Sequence, residues 1–236
     1  FLPIFLFSQN WNNDYYTDWS IIGWSKTGYV ALFESHEYDL IGGCRYRLLI
    51  QNIKTDQIVD VLTLTDIETD DYESCDSLTV IGNHNNQINR LLRKYQIIEN
   101  HNNKFYSFTY ADTLNSESYF HFEDVRYSLA FFEDKIHNFN EDCDLPYIMG
   151  YSLKTILHVY INLYDKGYGS KHISSIEAPE CSHGYYCLGY FKSPYENRIL
   201  LAFKSSIQYE SEFMQTDYIF VGCSLDPTTF NEEIKY

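Results

Sequence analysis

Residues 23–64 read GWSKTGYVALFESHEYDLIGGCRYRLLIQNIKTDQIVDVLTL, and their reading decides the fold. The segment that leads into it, Trp19–Trp24 (WSIIGW), is short, aromatic and β-branched, and its apolar residues lack helical spacing. Lys26-Thr27-Gly28 predicts a turn, because Gly28 reaches φ > 0 without the penalty of a Cβ. Tyr29–Phe33 then runs apolar for a length that suits a buried strand better than a helix. After the break at Gly42-Gly43, Arg45–Ile53 and Gln57–Leu64 are β-rich runs joined by the polar Lys54-Thr55-Asp56, a hairpin signal. Four strands in succession predict an antiparallel meander.

Working outward, Thr65–Asp76 (TDIETDDYESCD) is acidic, but it lacks the glycine that a calcium loop needs at its bend and reads as a solvated connector. One amphipathic helix is predicted near 83–95. Ile88, Leu91, Leu92 and Tyr95 fall on one stripe, Asn83, Asn85 and Asn86 are N-cap candidates, and Arg90, Arg93 and Lys94 sit toward the negative end of the dipole. Beyond it the chain is β again, with runs at Phe105–Tyr110, Ser118–Phe122, Tyr127–Phe132, Ile156–Ile161, Tyr185–Phe191, Ile199–Phe203 and Tyr218–Gly222. A second acidic loop is expected at Asn138–Asp144 and a glycine turn at Asp165–Ser170. No low-complexity linker interrupts the chain, so residues 9–236 are expected to form a single β-rich domain.

Gly23-Trp-Ser-Lys-Thr-Gly28 followed by Val30-Ala-Leu-Phe33, with Leu49–Asp56 as an outer hairpin, resembles the opening of a TolB-type β-propeller blade. The usual turn Asp is replaced by Thr27. Echoes stand at Gly189-Tyr-Phe-Lys-Ser193, running on to Phe203, and more loosely at Gly150-Tyr-Ser-Leu-Lys154, 39 residues earlier. A blade repeats at roughly 40–45 residues. The pattern also resembles uncharacterised secreted bacterial proteins of this size, a resemblance that implies no particular chemistry. The expected fold is therefore mainly β, built of antiparallel meander sheets in a propeller-like or sandwich-like arrangement with the one helix.

Composition narrows the function classes. A hydrophobic content of 44% with 18% aromatic residues excludes a disordered chain. Tyrosine (23) and phenylalanine (16) dominate; tyrosine suits half-buried strands, where the ring packs while the hydroxyl reaches water. Seventeen basic against 33 acidic residues leave −16, a field that repels phosphate backbones and argues against nucleic acid as a partner. Phe1–Phe7 (FLPIFLF) is apolar, uncharged and too short to span a bilayer. Residues 1–8 read as the end of a signal-peptide apolar region, with cleavage after Ser8; a buried first strand is the alternative. That points to an exported protein, whether periplasmic, cell-surface or extracellular, and no later segment has the length of a transmembrane helix.

Six cysteines, an even number, agree with export and disulfides, although they allow fifteen pairings. The candidate pair is Cys181 with Cys187, closing a small loop over residues 182–186; buried free thiols are the alternative. Nucleophile-elbow, phosphate-loop and His-Glu-x-x-His patterns are absent. His183 lies beside Cys181, but a zinc site would need further ligands at workable spacing. No catalytic residue, cofactor or metal ligand is therefore assigned. Tyr185, Tyr186 and Tyr190 are the candidate aromatic binding face. The leading expectation is a non-enzymatic domain that binds protein or glycan. The alternatives are a glycoside-type hydrolase with paired carboxylates, recognised by spatial separation and not by spacing in sequence, and a structural envelope component.

Overall fold

A computed structural model of the chain describes residues 17–37, 43–67, 75–100, 103–108, 118–122, 125–138, 152–163, 169–177, 182–209, 213–226, 228 and 230. The expected signal-peptide remnant, most of the second acidic loop, the glycine turn up to residue 168 and the first two residues of the echo at Gly150 lie outside these residues. The chain divides into two compact units, residues 1–103 with 194–196 and residues 104–193 with 197–236. Its described residues are mainly β, in three antiparallel sheets with one helix, as the sequence predicts.

The first unit is the expected meander. Its strands are β1 (Thr17–Trp24), β2 (Tyr29–Glu37), β3 (Cys44–Asn52) and β4 (Gln57–Ile67), ordered β4-β3-β2-β1, with the short β5 (Ile98–Glu99) added beside β1. The predicted glycine turn forms with Gly28 at φ 92°, closed by the Ser25 N–H donating to the Tyr29 carbonyl at 2.8 Å. At the β3–β4 turn it is Asp56 that takes positive φ (58°), while the Asn52 side chain accepts from the Lys54 N–H at 2.9 Å. Asn and Asp tolerate this geometry because their short side chains bond the local backbone.

Helix α1 (Ser77–Lys94) starts six residues before the expected position. Its cap is Asp76, whose carboxylate accepts from the Thr79 N–H at 3.0 Å, so the three asparagines lie inside the helix. Val80 and Ile81 lengthen the buried stripe that Ile88 and Leu92 continue, and Gly82 is tolerated on the exposed side. This stripe packs on Ala31, Phe33, Tyr46, Leu48, Ile50 and Leu64 of the sheet. A disulfide, Cys44–Cys75, joins the start of β3 to the helix entry with its Cα atoms 5.7 Å apart. Beside it the Tyr46 hydroxyl donates to the Cys75 carbonyl at 2.6 Å.

The second unit holds β6 (Phe105–Ser107), β7 (Ser118–Phe122), β8 (Val125–Asn138), β9 (Ser152–Leu163), β10 (Gly169–Glu177), β11 (Ser182–Lys192), β12 (Arg198–Tyr209) and β13 (Phe213–Ser224). These make two sheets, β10-β9-β8-β7 and β13-β12-β11-β6. Phe120, Phe122, Tyr127, Leu129 and Ile161 of one share a core with Tyr190, Ile199, Leu201, Phe203 and Val221 of the other. That is a two-layer arrangement, each sheet burying an apolar face against the next. Among the described residues no helix is long and apolar enough to cross a membrane.

Candidate functional site

Cys187, one of the expected cysteine pair, is a buried thiol in the core of the second unit outside any described disulfide, and burial pushes it up to about 12. Cys181 lies outside the described residues. Of the expected tyrosine face, only the Tyr190 side chain is described. Tyr190 is only 5% exposed because β11 turns it toward the shared core, where Phe108 and Phe120 pack on its ring. Tyr185 and Tyr186 are paired through their backbones with Ser205 and Lys204, and their side chains lie outside the described set.

What Tyr190 does touch is more informative. Strand β6 runs antiparallel to β11 with Phe105 opposite Phe191, Tyr106 opposite Tyr190 and Ser107 opposite Gly189. Gly189 makes this approach feasible. Its φ is 150°, and a Cβ there would stand 2.2 Å from the Tyr106 carbonyl oxygen. On one face Tyr106 stacks on Tyr190 with centroids 5.0 Å apart and planes 9° from parallel. Phe105 and Phe191, the neighbouring cross-strand pair, meet at 4.8 Å. Burial, with the neighbouring Tyr106 phenol adding to it, pushes the Tyr190 hydroxyl up to about 12, so it stays protonated through the physiological range.

Lys104 precedes β6 and Lys192 ends β11, each one residue beyond the Phe105–Phe191 pair. Both ammoniums fold over the same ring: Lys104 Nζ is 5.0 Å and Lys192 Nζ 4.8 Å from the Tyr106 centroid, and Lys192 also stands 4.7 Å from that of Phe122. Like charges brought over one ring repel. The ring quadrupole offsets that repulsion by roughly 0.5–2 kcal/mol per ammonium. Among the described residues neither lysine meets a carboxylate within ion-pair distance; the ion pairs are Glu34 with Arg45 and Arg47, Glu196 with Lys54, and Asp60 with Lys94. In a chain with 33 acidic residues, these two cations share an aromatic ring with no acid among the described residues within ion-pair distance. Sequence reading missed these residues. The available signal was a reversed match, Lys104-Phe-Tyr106 against Tyr190-Phe-Lys192, in which antiparallel pairing sets Tyr beside Tyr and Phe beside Phe.

The first unit carries the other polar cluster. Glu34 on β2 is buried, and Arg47 on β3 engages both of its oxygens, one through Nη2 at 2.8 Å and the other through Nε; Arg45 adds a contact of 3.2 Å. The next residue on that face of β2 is His36, opposite Arg45, and it is held below its ordinary value by burial first and then by the Arg45 charge. A carboxylate gripped by two guanidiniums is poorly placed to serve as a glycosidase acid or nucleophile, since both oxygens already accept charged donors. Among the described residues no group of three or more His, Cys, Asp or Glu side chains is placed to hold a metal ion. Comparison with known proteins found no matching family model, curated protein or solved structure.

Proposed function

We propose that the chain is an exported, non-enzymatic β-rich binding domain that takes a protein or glycan ligand at the β6–β11 rim. The observation that carries this reading is the half-buried Tyr106 ring, backed by Tyr190 and covered by two ammoniums that no described carboxylate neutralises. A rigid ring on a sheet offers stacking area at little entropic cost, and the lysines add charge and hydrogen-bond donors beside it. Export is supported by the Cys44–Cys75 disulfide, a bond that persists in oxidising compartments.

The purified protein should bind saturably to members of a glycan array or a displayed peptide library. Tyr106→Ala should abolish that binding while leaving far-ultraviolet circular dichroism native. Wild-type protein that binds in neither format but turns over aryl glycosides would overturn the reading in favour of a hydrolase.

A further inference from the structure

We infer that the ligand of this rim is a pyranose carrying an anionic group, a carboxylate or a sulfate, gripped between Lys104 and Lys192 with its C–H face laid on Tyr106. The inference rests on the binding reading above and adds the chemical class. Three observations point to it. First, the two ammoniums converge on one ring, within 5.0 and 4.8 Å of its centroid. An anion placed between them converts a repulsion into two charge-assisted hydrogen bonds. Second, the local sign opposes the chain as a whole, which carries −16. A general field of that sign turns bare anions away, so binding must come from short-range contacts, and those require a ligand that also stacks. Third, Tyr106 is clamped from behind by Tyr190 at 5.0 Å, which fixes its plane for a flat apolar face.

The geometry favours a sugar over an extended acidic peptide. Peptides that dock on a sheet edge do so by adding a strand. Here the edge strand β6 is three residues long, Phe105–Ser107, too short to template one. Lys104 is exposed and Lys192 half-buried, so both stems are free to lift their ammoniums from the ring onto an entering anion.

Isothermal titration with oligomers of galacturonic acid, their neutral methyl esters, a sulfated oligosaccharide and a poly-glutamate peptide tests this directly. The acidic sugars should bind at least about tenfold more tightly than the esters, and salt should weaken them. Lys104→Gln with Lys192→Gln should remove that preference, whereas Lys104→Arg with Lys192→Arg should keep it. The galacturonate and sulfate arms separate carboxylate from sulfate. Equal binding of acid and ester, or an unchanged preference in the glutamine variant, overturns the inference while the binding reading stands. Poly-glutamate that binds as well as the sugars, with the same lysine dependence, overturns the sugar and leaves a protein ligand. Failure of every probe, on the array as well, removes both.

Discussion

Strands β1–β2–β3 and β11–β12–β13 lie far apart in sequence and build the same frame. The Ser25 N–H reaches the Tyr29 carbonyl at 2.8 Å, as the Ser193 N–H reaches that of Arg198 at 2.9 Å. Ile53 N–H bonds the Gly28 carbonyl at 3.0 Å, and Leu225 N–H bonds that of Asn197 at 2.7 Å. Even the outer corner repeats: Asn52 accepts from the Lys54 N–H and Ser224 from the Asp226 N–H. Between these corners run Val30-Ala-Leu-Phe-Glu34 and Ile199-Leu-Leu-Ala-Phe203, both buried throughout. The frames diverge at the fifth position. One sets Glu34 opposite Arg47, and the other sets Phe203 opposite Ile219. An apolar pair therefore satisfies this backbone, and the ion pair is a choice made in the first unit alone. Buried ion pairs seldom outweigh well-packed apolar ones, because desolvation opposes the Coulomb gain.

That difference can be broken by substitution. Glu34→Ala removes the shared acceptor of two half-buried guanidiniums and should destabilise the first unit by about 1–3 kcal/mol. Glu34→Phe with Arg47→Ile copies the second frame and should restore most of that loss. Urea denaturation followed by tryptophan fluorescence reads the first unit, since Trp11, Trp19 and Trp24 all belong to it. If the double variant is as unstable as Glu34→Ala, the two frames are not interchangeable at this position, and the equivalence drawn from their hydrogen bonds is superficial.

Cysteine chemistry separates the units next. Cys44–Cys75 spans 31 residues of the first unit, and closing a loop of that size stabilises by roughly 3–4 kcal/mol through the unfolded chain. Cys187 and Cys223 in the second unit are buried thiols outside any described disulfide. Mild reductant should lower the urea midpoint of the first unit and leave the second in place. Iodoacetamide should leave Cys187 and Cys223 unlabelled until urea opens their unit, because the nucleophile is the thiolate and burial keeps the Cys187 thiol protonated. Labelling of both in native protein would contradict the packing described for that core.

These contrasts also explain what sequence could reveal. Strand edges at Tyr29 and Gln57 were legible because they rest on local signals, the turn at Gly28 and the hairpin loop ending at Asp56. The middle of α1 was legible from Ile88 and Leu92, but its start was not: Thr79 and Val80 are β-branched and Gly82 reads as a breaker, so the Asp76 cap was passed over. Glu34 beside Arg47, Cys44 beside Cys75, and Lys104 beside Lys192 all depend on register between strands or on where the chain returns. No local periodicity encodes that. Tyr190, one of the three tyrosines of the expected aromatic face, is buried, and its cross-strand neighbour Tyr106 is half-buried.

The smallest expected contrast is in pH, and the two units should fail at opposite ends. In the first, His36 is held below 6.5 by burial and by Arg45, so the folded state resists a proton that the unfolded chain accepts. Stability is present above 6.5 and is lost as pH falls below it. Asp60 and Asp76 are held below 3.8, by the Lys94 hydrogen bond and the Thr79 hydrogen bonds respectively, and extend the loss into stronger acid. In the second unit Cys187 and Tyr190 are pushed up to about 12, so stability is intact below their ordinary values of 9.0 and 10.0 and is lost as pH climbs toward 12. Lys94, held above 10.5 by Asp60, adds an alkaline loss to the first unit, but it is fully exposed and salt should suppress it. His36→Gln should flatten the fluorescence-detected midpoint between pH 7 and about 5.5, and Tyr190→Phe should reduce the alkaline loss of tyrosine-region circular dichroism. An acid limb unchanged in His36→Gln would mean that burial and the Arg45 charge do not hold that imidazole low enough to matter for stability, and that the polar cluster distinguishing the two frames has no titratable consequence.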